Sequence, residues 1–296
     1  MENNKLEELP IKTVSYSQYS MYKQCPHMWN LNYAKGLKVS TSSIYTVFGT
    51  AIHESIQNYL KVLFEEGSKE ADNINLSEYF ENRLIEIYKE ESTKDGHFSS
   101  PTQLYEFYED AVGILKAFSS ERSNIFNKKN KKLIGIEVPI LNPILSNLPN
   151  IKIKGFIDLV IQDTEEDTYT IYDIKTSTRG WSKEKEDQIK INQILLYKRY
   201  FSEIYNIPEN KIDVEFFIVR RKLSKNLKFN ISRIQRFTPP NGKKRVQEAV
   251  TDFQSFVTEV FDQEGNYLDK EYFKNTNSCK YCPFKEKPDL CDKKNN

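Results

Sequence analysis

Cysteine is scarce in this chain, with four among 296 residues. That is too few to staple a small extracellular scaffold, which excludes the disulfide-framework class. No stretch approaches the roughly 20 consecutive apolar residues that a membrane-spanning helix needs, so no membrane partner is expected. The opening MENNKLEELP lacks the apolar core of a secretion signal. An excess of either charge is also missing: 43 Lys and Arg stand against 42 Asp and Glu, a net charge of +1. Overall basicity therefore offers no argument for nucleic-acid binding. There is no internal repeat, no low-complexity tract and no G-x-x-x-x-G-K-[ST] phosphate loop, so the chain has no recognisable ATPase of its own. The remaining class is a soluble globular protein of cytosolic type, long enough for one large domain or two small ones, 38% hydrophobic and 29% charged.

Charge is balanced overall but not locally. From Glu65 to Asp110 there are thirteen acids and four basic residues. From Arg220 to Arg245 there are ten basic residues and no acid, beginning with Arg220, Arg221 and Lys222 and including Lys225, Lys228, Arg233, Arg236, Lys243 and Lys244. A shorter basic run, Lys128, Lys129, Lys131 and Lys132, precedes an apolar stretch. Such runs read either as solvated faces or as phosphate-binding surfaces.

The hydrophobic pattern runs from helical period to strand period and back. Residues 15–34 carry Tyr19, Tyr22, Trp29 and Tyr33 at broadly helical spacing, and Pro26 divides the segment. Residues 48–65 place Ile52, Ile56, Tyr59, Leu60 and Leu63 on one helical face. Helices are expected at 76–92 and 102–126, and strands rich in β-branched and aromatic residues at 133–140, 151–161, 169–175 and 214–220. Helices over 186–205 and 243–263 complete the order, followed by a loop-rich tail from Asn275. The expected class is α/β, with a β-β-β-α-β core and a helical segment inserted near the front.

The chemistry concentrates in the strands. Asp158 lies in GFIDLVI and Asp173 in YDIKTS, each inside an apolar strand where an unpartnered carboxylate is costly. The separation suits two antiparallel strands joined by the polar turn QDTEED. Lys175 follows Asp173 by two residues, so both project from one strand face. Two carboxylates and an ammonium on one face make either a hairpin with an internal ion pair or a site for Mg²⁺ or Mn²⁺. Glu137, in IGIEVPI on the preceding strand, is either a further carboxylate of that site or a solvent-facing residue.

These residues resemble the PD-(D/E)XK nucleases, in which the second acid and the lysine form the (D/E)-x-K. GTAIHE at 49–54 resembles the helical motif of the RecB-type branch, which implies His53 as a metal ligand; His27 and His97 have no comparable setting. QILLY at 193–197 resembles that branch's Q-x-x-x-Y motif, so Gln193 and Tyr197 are expected to support the lysine and contact the DNA backbone. SYSQYSMYKQCPHMW resembles its N-terminal segment. The matches span residues 15–291. The resemblance implies a restriction-endonuclease-like fold, a mixed central sheet flanked by helices. A single nuclease domain over 1–296 is expected, with a helical insertion at 65–126, the catalytic sheet at 133–220 and a Cys-rich tail at 275–296. It further implies that His53, Asp158, Asp173 and the Ile174 carbonyl hold one or two Mg²⁺ or Mn²⁺ ions. DNA is then the substrate, with Arg220, Arg221 and Lys222 tracking phosphates.

Cys279-x-x-Cys282 and Cys291 cluster in the tail, and Cys25 lies far away near the front. Four thiolates suit a [4Fe–4S] cluster or a tetrahedral zinc. The one-plus-three arrangement resembles that of AddB-type helicase–nuclease subunits and CRISPR-associated nucleases, which implies an iron–sulfur staple joining the chain ends. The expectation is a cytoplasmic deoxyribonuclease, an exonuclease acting on DNA ends or single strands, with a helicase or recombination partner in keeping with those relatives. A structure-selective endonuclease and a non-cutting DNA-binding subunit are the alternatives.

Overall fold

The structure, a computed structural model, describes residues 10–39, 42–126, 129–181, 187–223, 232–285 and 287–291, with the backbone alone at Asp95 and Tyr281. Lys128, Lys225 and Lys228 of the basic runs lie outside the described residues, as do Glu186 and the last five residues of the tail.

A short strand β1 (Lys12–Val14) leads into helices α1 (Tyr16–Gln24) and α2 (Pro26–Trp29), and a π-helical turn continues over Asn30–Ala34. Pro26 starts α2 at a position where its missing N–H costs nothing, which is why the first helical segment breaks there. Helices α3 (Ile44–Glu65), α4 (Ser68–Asp72), α5 (Leu76–Asp95) and α6 (Pro101–Ile125) follow. Ser43 caps α3 and Ser100 caps α6 through their side-chain oxygens. The chain then forms β2 (Lys131–Leu145), β3 (Leu148–Asp163) and β4 (Thr168–Ser177), crosses through α7 (Gln188–Tyr205) to β5 (Ile212–Arg220), and ends with β6 (Ile234–Phe237) and α8 (Lys243–Val260).

β2 and β3 form a long antiparallel hairpin, β4 lies antiparallel to β3, and β5 lies parallel to β4 after the α7 crossover. Successive residues of the central strands serve opposite layers. Phe216 and Ile218 pack with Ile194, Leu195, Phe253 and Phe256 of α7 and α8. Phe217 and Val219 pack with Phe48, Ile52, Phe107 and Phe118 of α3 and α6. The result is a mixed sheet between two helical layers.

One irregularity in this sheet positions the site. β2 occupies one edge of β3 along nearly its whole length, while the other edge is shared. β1 takes residues 151–153 of that edge and β4 takes 159–163, leaving 154–158 without a strand neighbour on that edge among the described residues. At the same level the faces switch. Ile136 packs in the α3 layer, yet Val138, two residues on, packs in the α7 layer; Leu159 and Ile157 of β3 divide in the same way. Glu137, between Ile136 and Val138, has φ 51°, a left-handed backbone that a non-glycine residue adopts only under constraint.

Candidate metal and catalytic site

Asp158 lies in β3 where β4 turns away. Its Oδ2 accepts the Ile174 N–H at 2.7 Å, replacing the strand bond that the next ladder rung would have made. A strand residue directs its N–H and C=O to the same edge, so the Ile174 carbonyl faces the same gap. His53 reaches the gap from α3, with Nδ1 3.7 Å from Asp158 Oδ2. Burial and the positive charge of Lys175 lower its pKa to about 4, so the imidazole is neutral at pH 7 with a lone pair to offer.

Asp173 is 1% exposed. Its Oδ1 accepts from Lys175 Nζ at 3.0 Å; its Oδ2 lies 2.8 Å from the same nitrogen but receives no aligned hydrogen bond. Burial pushes both carboxyls up to about 6 against the pull of Lys175, and the charge of Asp158 raises Asp173 further. Lys175 itself is raised, because its two carboxylate neighbours outweigh its burial. From the α7 layer, Gln193 Oε1 accepts from Lys175 Nζ at 3.1 Å, and Gln193 Nε2 donates to the Tyr197 hydroxyl at 3.2 Å. Gly155 lets the Tyr197 ring cross the open edge of β3, since a Cβ there would stand 3.1 Å from the ring.

One participant was not anticipated. Gln57 is buried on α3, one turn beyond His53, and donates to Glu137 Oε1 at 2.7 Å and to the Asp158 carbonyl at 3.1 Å. It ties the strained Glu137 to the gap. The i,i+4 spacing from His53 was the available signal.

The donor set matches a hard divalent cation: carboxylate oxygens, a carbonyl, a neutral imidazole, and a buried carboxylate oxygen that receives no aligned hydrogen bond. Among the described residues no three His, Cys, Asp or Glu side chains are already drawn together at metal-holding spacing. Like-charged carboxylates do not close on one another without a cation between them.

The chain matches the PD-(D/E)XK nuclease superfamily over residues 13–287. It belongs to that superfamily. No curated protein gives a significant match to it. In the structure Asp158, Asp173, Lys175, His53 and the Ile174 backbone lie about the β3–β4 gap, and Glu137 is linked to it through Gln57. Two other expectations change. Tyr197 is 6% exposed. With its ring over Gly155 and its hydroxyl on Gln193, it backs the lysine and has no surface for DNA.

The basic run is the larger correction. Arg221 is buried, with Nη1 2.8 Å from Asp110 and 3.3 Å from Glu106, and its guanidinium lies 4.1 Å from the Phe107 ring centroid. Lys222 Nζ sits 2.7 Å from Glu106 and 2.9 Å from Asp110. Arg220 donates to the Ser232 carbonyl, and Arg236 forks onto Glu215 at 2.6 and 2.7 Å. The acids absent from the run are supplied by α6 and β5, so Arg220, Arg221 and Lys222 hold α6 and a neighbouring loop to the end of β5 instead of tracking phosphates. Arg221→Ala should therefore cost about 3 kcal/mol by leaving Asp110 half-neutralised in the interior. Lys222→Ala, at a half-exposed position, should cost less than about 1 kcal/mol. Denaturant unfolding of the two variants checks the ordering.

The cysteines form a second centre. Cys25, Cys279, Cys282 and Cys291 line one cavity between the α1–α2 junction and the tail. Cys25, Met28, Leu31 and Phe284 make a small apolar core around it. The Asn275 N–H donates to Cys25 Sγ at 3.4 Å, and burial, with the three other thiols near it, pushes the Cys282 thiol up. Asn275 Nδ2 and Ser278 Oγ both donate to the Gln24 carbonyl, at 2.8 and 2.7 Å, and His27 Nε2 lies 3.1 Å from the Leu290 carbonyl. Residues more than 250 positions apart thus line one cavity with four sulfurs, although no three of them stand at metal-holding spacing.

Proposed function

We propose that this chain is a Mg²⁺- or Mn²⁺-dependent deoxyribonuclease of the RecB-like branch, an exonuclease acting on DNA ends or single strands. The observation that carries this reading is the convergence of His53, Asp158, Asp173 and the Ile174 carbonyl on the gap between β3 and β4, with Lys175 fixed beside them. Buried carboxyls held toward their protonated state mark a site short of positive charge. A divalent cation held by these four groups would neutralise charge on the scissile phosphate and acidify a water. The remaining work falls to the chain's own side chains. Two of the three Nζ hydrogens of Lys175 go to Asp173 and Gln193, leaving the third to orient the attacking water. Gln193, held by Tyr197, keeps the ammonium from swinging away. In-line attack then leaves a 5′-phosphate and a 3′-hydroxyl. Glu137, steadied by Gln57, adds negative charge at the cleft mouth, where a second cation would sit.

The test is incubation with end-labelled single-stranded and duplex DNA, with analysis of product termini. Products ending in 5′-phosphate from linear DNA support the reading; cutting of circular single strands would convert it to an endonuclease, because a circle has no ends. Cation binding should also depend on pH. Asp158 and Asp173 must lose their protons to bind metal, and both titrate near 6 in the metal-free chain. The rise in melting temperature produced by Mn²⁺ should therefore be full at pH 8 and fade as pH falls through about 6.

The four cysteines fit a [4Fe–4S] cluster, with zinc as the competing occupant, and its role would be to staple the tail to the front of the chain. Thiolates of this kind persist in a reducing compartment, in keeping with a cytoplasmic protein. Among the described residues no helix is long and apolar enough to cross a membrane.

A further inference from the structure

A regular stripe winds along α3. Tyr45, Gly49, His53, Gln57 and Lys61 recur every four residues, so successive members are neighbours while the stripe turns about 160° around the helix from end to end. The first four line a cleft with Thr176 and Glu137. The cleft continues past Glu54 and Gln57 into a second one lined by Lys61 and, from β2, Lys132. The sixteen helical steps from Tyr45 to Lys61 cover about 24 Å of helix, with His53 at the midpoint. At the near end Tyr45 is 56% exposed. Its ring is nonetheless fixed from behind: Phe107 meets it edge-on at 5.2 Å, and the Arg221 guanidinium lies 5.7 Å from its centroid. One turn on, Gly49 adds no side chain, and even a Cβ there would come within 3.2 Å of Thr176 Oγ1. Between Tyr45 and His53 the helix therefore presents no side chain, and Thr176 packs closely against it. An exposed, braced aromatic ring, a bare step, the cation-binding gap and then a lysine pair form a graded track.

We infer that this stripe binds a single DNA strand across the metal site, Tyr45 stacking on an unpaired base to one side of the scissile phosphate and Lys61 with Lys132 meeting phosphates on the other. The inference rests on the nuclease reading and adds to it the substrate's strandedness and polarity-determining contacts. Stacking selects single strands because both faces of a base inside a duplex are already covered, and it tolerates every sequence because every base has a π-face. Phosphate contacts on the far side hold the strand without reading it.

The experiment uses the full chain carrying Asp173→Asn as a non-cutting parent and measures binding by fluorescence anisotropy. Three probes of one length are compared: a mixed-sequence single strand, an all-abasic deoxyribose phosphate strand, and a blunt duplex. Tyr45→Ala should weaken binding of the base-bearing strand by about ten-fold or more, and leave the abasic strand and the duplex within about two-fold. Tyr45→Phe keeps the ring and should bind as the parent does. Lys61→Ala should flatten the salt dependence of single-strand binding by about 0.7 in log–log slope, one phosphate's share. Unchanged binding in Tyr45→Ala, or an equal loss on abasic DNA, overturns the stacking platform; an unchanged slope in Lys61→Ala overturns the far end of the track. Cleavage by the unmodified chain is measured alongside. If that chain cuts DNA while Tyr45→Ala binds normally, only the track fails; if it cuts nothing under any divalent cation, the nuclease reading fails.

Discussion

Asp173→Asn and Lys175→Ala should each slow DNA cleavage by at least about 10³-fold while leaving the chain folded and DNA binding nearly unchanged. The expectation follows from where the two side chains spend their interactions. Asp173 is almost wholly buried, with both oxygens within 3.0 Å of the Lys175 ammonium and Oδ2 receiving no aligned hydrogen bond. Keeping that carboxylate in the interior raises its pKa to about 6, against the fold's interest. An isosteric amide removes this cost, so the metal-free Asp173→Asn chain should melt within a few degrees of the parent even though its rate collapses. Lys175 retains Asp158 and Gln193 as neighbours in that variant, so no unpaired ammonium is created. Lys175→Ala instead leaves Asp173 without its cation, and a modest loss of stability should accompany the loss of rate. Single-turnover cleavage with thermal melting of the same samples separates the two effects. Restoration of the rate by Lys175→Arg would contradict a role that depends on a compact, hydrogen-bonded ammonium. His53→Ala should be milder in Mn²⁺ than in Mg²⁺, which is the more exacting of the two about ligand geometry.

The second large effect is expected at the cysteines. Cys25→Ser should remove the metal, whichever metal the site holds, and free the tail beyond Phe273 to proteases. The clip joins residues more than 250 positions apart, and the entropy cost of closing a loop rises with its length. By analogy with a covalent cross-link of that span, the loss could reach about 5 kcal/mol. The tail's own hydrogen bonds to the Gln24 carbonyl and the contact of His27 with Leu290 are too few to replace it. A cluster predicts brown anaerobic protein with about four irons per chain, bleached in Cys25→Ser, as four-thiolate ligation implies. Colourless protein with about one zinc would make the staple a zinc site. Metal-free protein with an unchanged protease pattern in Cys25→Ser would remove the staple altogether. Cleavage should outlast the substitution in the surviving folded chain, because no cysteine borders the β3–β4 gap.

Much of this was legible in local sequence. The helical period over 48–65 gives α3, and β-branched runs give the strands. The Asp158 and Asp173-Ile174-Lys175 spacing places two acids and a lysine on neighbouring strands, where the structure has them. Features with no local signature were missed. β1 is three residues long and is a strand only because β3 receives it; β6 is four. β2 runs on through Pro139 and Pro143 to Leu145, which a proline-averse reading stops early. Prolines are tolerated on such a strand because β2 has β3 as its one strand neighbour among the described residues. The basic run misled for a related reason. Its acid-free composition was real, but Glu106 and Asp110 reach Arg221 and Lys222 from more than 100 residues away. Glu137 reads from the sequence as either a carboxylate of the site or a solvent-facing residue; its left-handed backbone, and the face switch beside it in β2, are properties of the paired strands and not of the local residues.

The most direct test of the central claim is cleavage of a linear, 5′-labelled single strand by the purified chain in Mn²⁺, in Mg²⁺ and in excess chelator, with Asp173→Asn beside it. The account predicts shortened labelled products ending in a 3′-hydroxyl in both metals, none in chelator and none above background from Asp173→Asn. Cleavage that persists in chelator, or that Asp173→Asn performs at the parent's rate, would contradict it.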